Sequence, residues 1–398
     1  MSEHHIRRRI GVVAVALAAL AAATAPAATA PDAAPPDAGI GGPGSVLQRD
    51  ADAVTAAGAV GVLAELRADE RRWTARSGVA ELDTGQPVPP DASLRIGSAT
   101  KAFTAVVVLQ LADEGRIALE DTVERWLPGV VTGNGNDGSR ITVRQLLQHT
   151  SGLPQVFDLP GGESAAEFLR HRYDSHTPEH ILRLAMNHPP STAPGTRWEY
   201  SNTNYVLLGM IVERVTGKSW AYEVMRRILV PMSLQDTMVP GDNPFLPRPR
   251  LHTYRQFAPG ESWLDTTDLN VKDMDAEGSI VSTTADLGRF WTALMRGELL
   301  SPRMTAEMQR TVPVDVPGYE SFGIRWGLGL TWVNLTCGGG YWTHWGNVLG
   351  ASTRGGVTPD GRRSVVVAVT GNADHTIAET DTGLVLPMVD RALCERTP

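Results

Sequence analysis

Ser98-Ala99-Thr100-Lys101 opens a run, Ala102-Phe103-Thr104-Ala105-Val106-Val107-Val108-Leu109-Gln110-Leu111, that is apolar on most sides when wound as a helix. Such a helix belongs inside a core rather than on a surface, and Gly115 supplies its C-terminal cap. The i, i+3 spacing sets Ser98 and Lys101 on one face, one turn apart, at the start of that helix. A serine hydroxyl becomes a useful nucleophile when a neighbour takes its proton, and burial can lower a lysine pKa enough for it to do so. The helix N-terminus adds a field that favours an oxyanion, with the Ser98 N–H directed into it. This is the chain's single Ser-x-x-Lys, and only three of its 36 Lys and Arg residues are lysines, at 101, 218 and 272. A lysine in so apolar a helix needs a reason; a side chain snorkelling from the helix start is the plain alternative.

Outward from this helix, 45–57 has helical spacing, and 59–63 and 73–82 read as strands. The middle of the chain is mainly helical, with Thr142 opening 143–149, then 205–215 ending at Gly217, and later 284–294. Strands return at 323–332, 350–357 and 363–370, where Pro359-Asp360-Gly361 turns the last two into a hairpin, and a helix closes the chain near 382–393. Strands at both ends around a helical middle predict an α/β (α+β) architecture. It would be one antiparallel sheet built from both chain ends (about 45–110 and 275–398), flanked by helices, with a helical insertion over about 111–274.

The chain of 398 residues is 42% hydrophobic and 20% charged. That suffices for one large catalytic unit, 45–398, with a sizeable core and no need of metal staples. A net charge of -8 argues against nucleic acid or anionic lipid as a partner. Arg7-Arg8-Arg9, the apolar stretch 10–23, and small-residue sites such as Ala28-Thr29-Ala30 mark 1–30 as a secretory signal peptide. The apolar stretch is shorter than the roughly 20 residues a bilayer span needs, so no stable membrane anchor is expected. Residues 31–44, rich in Ala and Pro, form a linker. The expected product is secreted and extracellular. There, oxidation favours pairing Cys337 with Cys394, the only two cysteines. Closing their loop is worth ~4 kcal/mol, and two separate buried thiols are the alternative.

Two further patterns bear chemistry. In Tyr200-Ser201-Asn202 the tyrosine can relay a proton and the asparagine can serve a substrate amide as donor and acceptor. In His344-Trp345-Gly346 a basic group can steady a substrate carboxylate or the proton network, while Gly346 lets a substrate approach the strand backbone. Each alone is a weak signal.

Ser-x-x-Lys, Tyr-x-Asn and His-x-Gly in that order resemble the three boxes of the penicillin-recognising serine hydrolases, the β-lactamase and D-Ala-D-Ala peptidase fold. Arg95-Ile96-Gly97-Ser98, Thr142-Val143-Arg144-Gln145-Leu146-Leu147 with His149 and Ser151-Gly152-Leu153, and Gly327-Leu328-Gly329-Leu330 look like further landmarks, and the likeness runs from about Leu47 to Cys394. It is strongest to secreted actinomycete D-Ala-D-Ala carboxypeptidases, which also pair cysteines at matching places. The resemblance implies acylation of Ser98, with Lys101 as proton acceptor and Tyr200 as shuttle. An oxyanion hole would come from the N–H groups of Ser98 and Asn347, and Asn202 and His344 would complete the polar ring. Lysine and tyrosinate both remain open as first base.

Where those carboxypeptidases grip the substrate carboxylate with threonines and an arginine, this chain has Trp345, Asn347 and Thr331; Arg325 and Arg354 are the remaining candidates for the grip. The expected activity is that of a serine D-alanyl-D-alanine carboxypeptidase working as a monomer on cell-wall peptides, with β-lactams as candidate acylating agents. An esterase, D-amino-acid amidase or β-lactamase-like hydrolase on small peptides or esters is the close alternative, and a silent binding protein the distant one. No metal or cofactor is expected: His171, His176 and His180 lack a His-Glu-x-x-His box.

Overall fold

Pro43 stands in the first turn of a helix, α1 (Pro43–Ala56), where its fixed φ suits the helix and its missing N–H costs nothing. Helix therefore begins inside the stretch read as linker. The computed structural model describes residues 42–155, 162, 164–314, 320–371 and 380–395. The expected signal peptide, and the linker up to residue 41, lie outside the described residues.

Leu47, Ala51 and Val54 form the buried stripe of α1, which packs on a sheet begun by β1 (Gly61–Ala68), β2 (Arg71–Glu81) and β3 (Gln86–Pro87). After the helical middle come β4 (Val312–Pro313), β5 (Arg325–Trp326), β6 (Thr331–Asn334), β7 (Gly340–Thr343), β8 (Gly346–Val348), β9 (Ala351–Val357) and β10 (Arg363–Thr370). They assemble in the order β4-β5-β6-β7-β9-β10-β1-β2-β3, all antiparallel, with β8 paired to β9. The register pairs Gly61 with Thr370 and Ala68 with Arg363, so strands from distant parts of the sequence lie side by side in the sheet.

Alternation along the central strands separates two cores. Val62, Ala64, Leu66, Val365, Val367 and Val369 face α1 and the last helix, α7 (Leu386–Cys394). Leu63, Val366 and Ala368 face the larger core. That core is built around α2 (Thr100–Asp113), whose Phe103 stacks on Phe290 of α6 (Thr284–Met295) with ring centroids 3.7 Å apart. Between α2 and α6 run α3 (Val143–Leu147), opened by a capping box of Thr142 and Gln145, α4 (Thr203–Thr216), and the short α5 (Asp275–Gly278). The extended stretch expected over 323–332 is instead two strands, because Gly327-Leu328-Gly329-Leu330 turns across α2: Gly329 N–H donates to Leu147 O, and Gly327 N–H to Leu330 O. Among the described residues no helix is long and apolar enough to cross a membrane.

Cys337 and Cys394 are joined across a sequence separation of 57, tying the β6–β7 turn to α7. Replacing both by alanine is expected to lower unfolding free energy by about 4 kcal/mol, measured by urea denaturation without reductant, because the denatured chain regains the loop entropy.

Candidate active site

Ser98 lies in a 3₁₀ turn, Gly97–Ala99, immediately before α2, and Lys101 follows in that helix's first turn, fully buried. Tyr200-Ser201-Asn202 leads into α4. The two segments converge on one atom. Ser98 Oγ accepts hydrogen bonds from Tyr200 Oη at 2.8 Å and Lys101 Nζ at 3.1 Å, the surroundings suited to an oxygen gaining negative charge. Asn202 Oδ1 accepts from Lys101 Nζ at 2.8 Å, so its acceptor is engaged by the lysine. His149 holds Tyr200 from behind, its ring stacked at 4.4 Å while its Nδ1 accepts from Ser201 N–H at 3.2 Å and from Asn204 Nδ2 at 3.0 Å. Burial, with Lys101 nearby, holds the His149 pKa well below the ordinary histidine value.

The third segment arrives from the sheet. A methyl group on Gly346 would lie 1.8 Å from Ile96 O, and one on Gly97, whose φ is +52, would lie 2.4 Å from Asn347 O. These glycines let β8 press against the turn that carries Ser98. The reading of Gly346 as a place for substrate does not hold, because the space beside it is filled by the protein's own backbone. Gly346→Ala is therefore expected to shift Ser98 and lower kcat/KM about 100-fold, measured on any substrate that acylates Ser98.

His344 is buried, and its Nδ1 donates to Trp345 O at 2.8 Å. Burial and the nearby Lys101 push its pKa down to about 3, so the ring is neutral, and Nε2 is a buried nitrogen without a partner. Of the two roles expected for a basic His344, the cation that steadies a substrate carboxylate fails here, because burial and the nearby Lys101 keep the ring from charging. A cavity of about 290 Å3 opens between Ser98, Tyr200, Trp326, His344, Trp345 and Asn347. Larger cavities, such as one of about 690 Å3 near Arg116 and Arg310, contain none of these groups.

A family model described as Beta-lactamase matches residues 47–387. The chain belongs to the beta-lactamase family. Among curated proteins of this kind it is similar to penicillin-binding protein 4* of Bacillus subtilis (strain 168), 30% identical over 63% of this chain and 55% of that protein. The chain thus spans about half the length of the curated relatives it matches. Among solved structures, a D-stereospecific amidohydrolase from Streptomyces sp. is 40% identical, covering 83% of this chain and 94% of that one with a TM-score of 0.75. A D-amino acid amidase from Ochrobactrum anthropi SV3, complexed with L-phenylalanine amide, is 28% identical, covering 88% and 97% with a TM-score of 0.77. Both fold and serine hydrolase class follow from these matches.

Two acidic groups of this beta-lactamase-family site escaped the sequence reading. Glu277 of α5 takes Lys101 Nζ on its carboxylate at 2.8 Å and on its backbone carbonyl at 2.7 Å. Burial by itself lowers the Lys101 pKa, but Glu277 and, less strongly, Tyr200 outweigh it, and the net direction is upward. The expected depression of the lysine pKa is thereby reversed. Asp381 takes Arg354, which lines the cavity, on one carboxylate oxygen through both Nε, at 3.0 Å, and Nη2. The rest of the Arg354 guanidinium is also engaged, Nη1 with Gly346 O at 2.9 Å and Thr353 O at 3.1 Å, and Nη2 with Asn347 Oδ1 at 2.8 Å. Arg325 is exposed, its guanidinium over the Trp332 ring. Among the described residues no metal-binding cluster occurs. His176 pairs with Asp273, and His171 with Asp174.

Proposed function

We propose that the protein is a secreted D-aminoacyl amidase and esterase that acts through a Ser98 acyl-enzyme on neutral substrates, in preference to a carboxypeptidase. The observation that carries this reading is the state of Arg354. A guanidinium has five N–H donors, and all five are taken by Asp381, Gly346, Thr353 and Asn347. Its charge is balanced by a carboxylate that is itself buried. Among the described residues lining the cavity it is the one cation, since His344 is neutral, so a substrate carboxylate would enter without a counter-charge. An amide or ester would not carry that penalty. The apolar walls of Ile324, Trp326 and Trp345 suit an aromatic side chain, and the amidohydrolase and amidase among the similar structures point the same way.

In this scheme Ser98 Oγ bonds the substrate carbonyl carbon while its proton is taken up by the Lys101 and Tyr200 pair. The carbonyl oxygen gains its charge beside the N–H groups of Ser98 and Asn347, whose backbones Gly97 and Gly346 bring together. The C–N bond then breaks with a proton delivered to the amine. Water cleaves the Oγ–acyl bond to give the free acid. The basic and apolar segment at 7–23 and the disulfide support export into an oxidising compartment.

The test is ammonia release from D- and L-phenylalanine amide beside D-Ala release from a diacylated Lys-D-Ala-D-Ala peptide. A kcat/KM for the D-amide about tenfold or more above both others is expected. Dominant D-Ala release would return the carboxypeptidase to first place.

A further inference from the structure

Lys101 has more acceptors than it can serve as a neutral amine. Its Nζ lies 2.8 Å from Asn202 Oδ1, 2.7 Å from Glu277 O and 2.8 Å from Glu277 Oε2. The Asn202 amide oxygen and the Glu277 backbone oxygen are acceptors only, and Oε2 is the carboxylate side of an ion pair. With Ser98 Oγ they make four acceptors around one nitrogen, twice what the two hydrogens of a neutral amine can serve. Ser98 Oγ is the farthest neighbour of the four, at 3.1 Å. With three hydrogens and Cε attached, Nζ has no lone pair for the serine proton. Tyr200 Oη, at 2.8 Å from Ser98 Oγ, does.

The placement of Glu277 is built into the fold. Three polar groups of α2 grip the segment 276–280: Thr104 Oγ1 donates to Ala276 O at 2.7 Å, Thr100 Oγ1 accepts from Ile280 N–H at 3.1 Å, and Lys101 holds residue 277 itself. From the other side α4 approaches at Gly209, where a methyl group would lie 2.8 Å from Ala276 Cβ. Around Lys101 the other titratable groups are Tyr200 and Tyr205, with their rings 5.1 and 5.5 Å away, and the neutral His149 and His344. Burial pushes the Tyr205 pKa well up, so that phenol keeps its proton. Asp275, at the start of α5, is a carboxyl with its pKa pushed up to about 6 by burial and by Glu213. Among the described residues, Glu277 is the carboxylate that contacts the lysine.

We propose that Glu277 is a positioning residue that holds Lys101 as an ammonium, so that the serine proton leaves through Tyr200 and not through the lysine. This rests on the Ser98 acyl-enzyme proposed above. The step balances without a further base. Ser98 Oγ bonds the carbonyl carbon and gives its proton to Tyr200 Oη, the original Tyr200 proton goes to the leaving nitrogen, and the C–N bond breaks. Lys101 stays charged throughout and stabilises the negative charge as it passes.

The experiment is the pH profile of kcat/KM for D-phenylalanine p-nitroanilide from about pH 6 to 11.5, across the range where an amine or phenol would titrate, in wild type, Glu277→Gln and Glu277→Asp. Labelling of Ser98 by a fluorophosphonate, read by intact mass, accompanies each protein. Without the carboxylate, burial dominates the lysine, and activity that needs the ammonium falls at lower pH. The alkaline limb of Glu277→Gln is expected to move down by at least about one pH unit, with rates below it within about tenfold of wild type. Glu277→Asp, which keeps a carboxylate, should return the limb toward its wild-type place. A uniform loss at every pH with the limb unmoved would overturn the proposal. So would a gain in rate near neutral pH with the acid limb moving down, because neutral Lys101 would then be the acceptor. Failure of wild-type Ser98 to take the label would instead sink the acyl-enzyme reading.

Discussion

Ser98→Ala is expected to lower kcat/KM for amide and ester substrates by about 10⁵-fold, because nucleophile and proton-handling groups act as one unit. Ser98 Oγ only accepts hydrogen bonds in the resting protein, from Tyr200 and Lys101. Its loss leaves Tyr200 facing the cavity and Lys101 with three other acceptors, so stability should change by less than about 1 kcal/mol. Kinetics and urea unfolding on the same preparation check both halves. Residual turnover above about one per cent of wild type would mean that the acyl group is carried elsewhere or not at all.

Lys101→Met should damage stability and chemistry together. It removes the cation from Glu277, whose side chain is 12% exposed, and strips the partner from Asn202 Oδ1. Breaking a buried pair from one side costs about 3–5 kcal/mol, and the rate should fall about 10³-fold or more as Ser98 loses its charged neighbour. The folded lysine pKa lies above its ordinary 10.5. The pair's contribution is therefore fully present below that value and is lost as pH rises through the raised one, which makes the deficit constant across the neutral range. The double variant Lys101→Met/Glu277→Gln separates the two effects. It should regain most of the stability, since no buried charge is left alone, and none of the rate. If the double variant is as unstable as the single one, the charge pair is not what holds α5 in place.

The parts of this site that were legible in the sequence are those written in short spacing. Ser98 and Lys101 are one helical turn apart, Tyr200 and Asn202 sit at the mouth of α4, and an all-round apolar run can only be a buried helix. Their alignment with one another needed a resemblance, because 101 residues separate Lys101 from Asn202. Glu277 and Asp381 left no signal at all. Each is an ordinary acidic residue whose meaning comes from a partner, 176 residues away for Glu277 and 27 for Asp381. Missing them reversed the expected lysine pKa and left Arg354 open as a carboxylate grip, which the filled guanidinium closes. His344 misled in a related way, since a residue type gives a proton affinity only in water, and burial changes it.

The pairing of β1 with β10 bears on how such a chain is made. Gly61 meets Thr370 at a sequence separation of 309, and β1 is covered on both faces. At about 5–20 residues per second, ribosomal synthesis separates the two strands by at least about 15 s. For that interval the apolar strand 61–68 has no neighbour on its β10 side, a long-range closure that topology makes slow. Val62, Leu63 and Leu66 of the first strand therefore wait without their β10 partners long before the nucleophile turn can be set against β8.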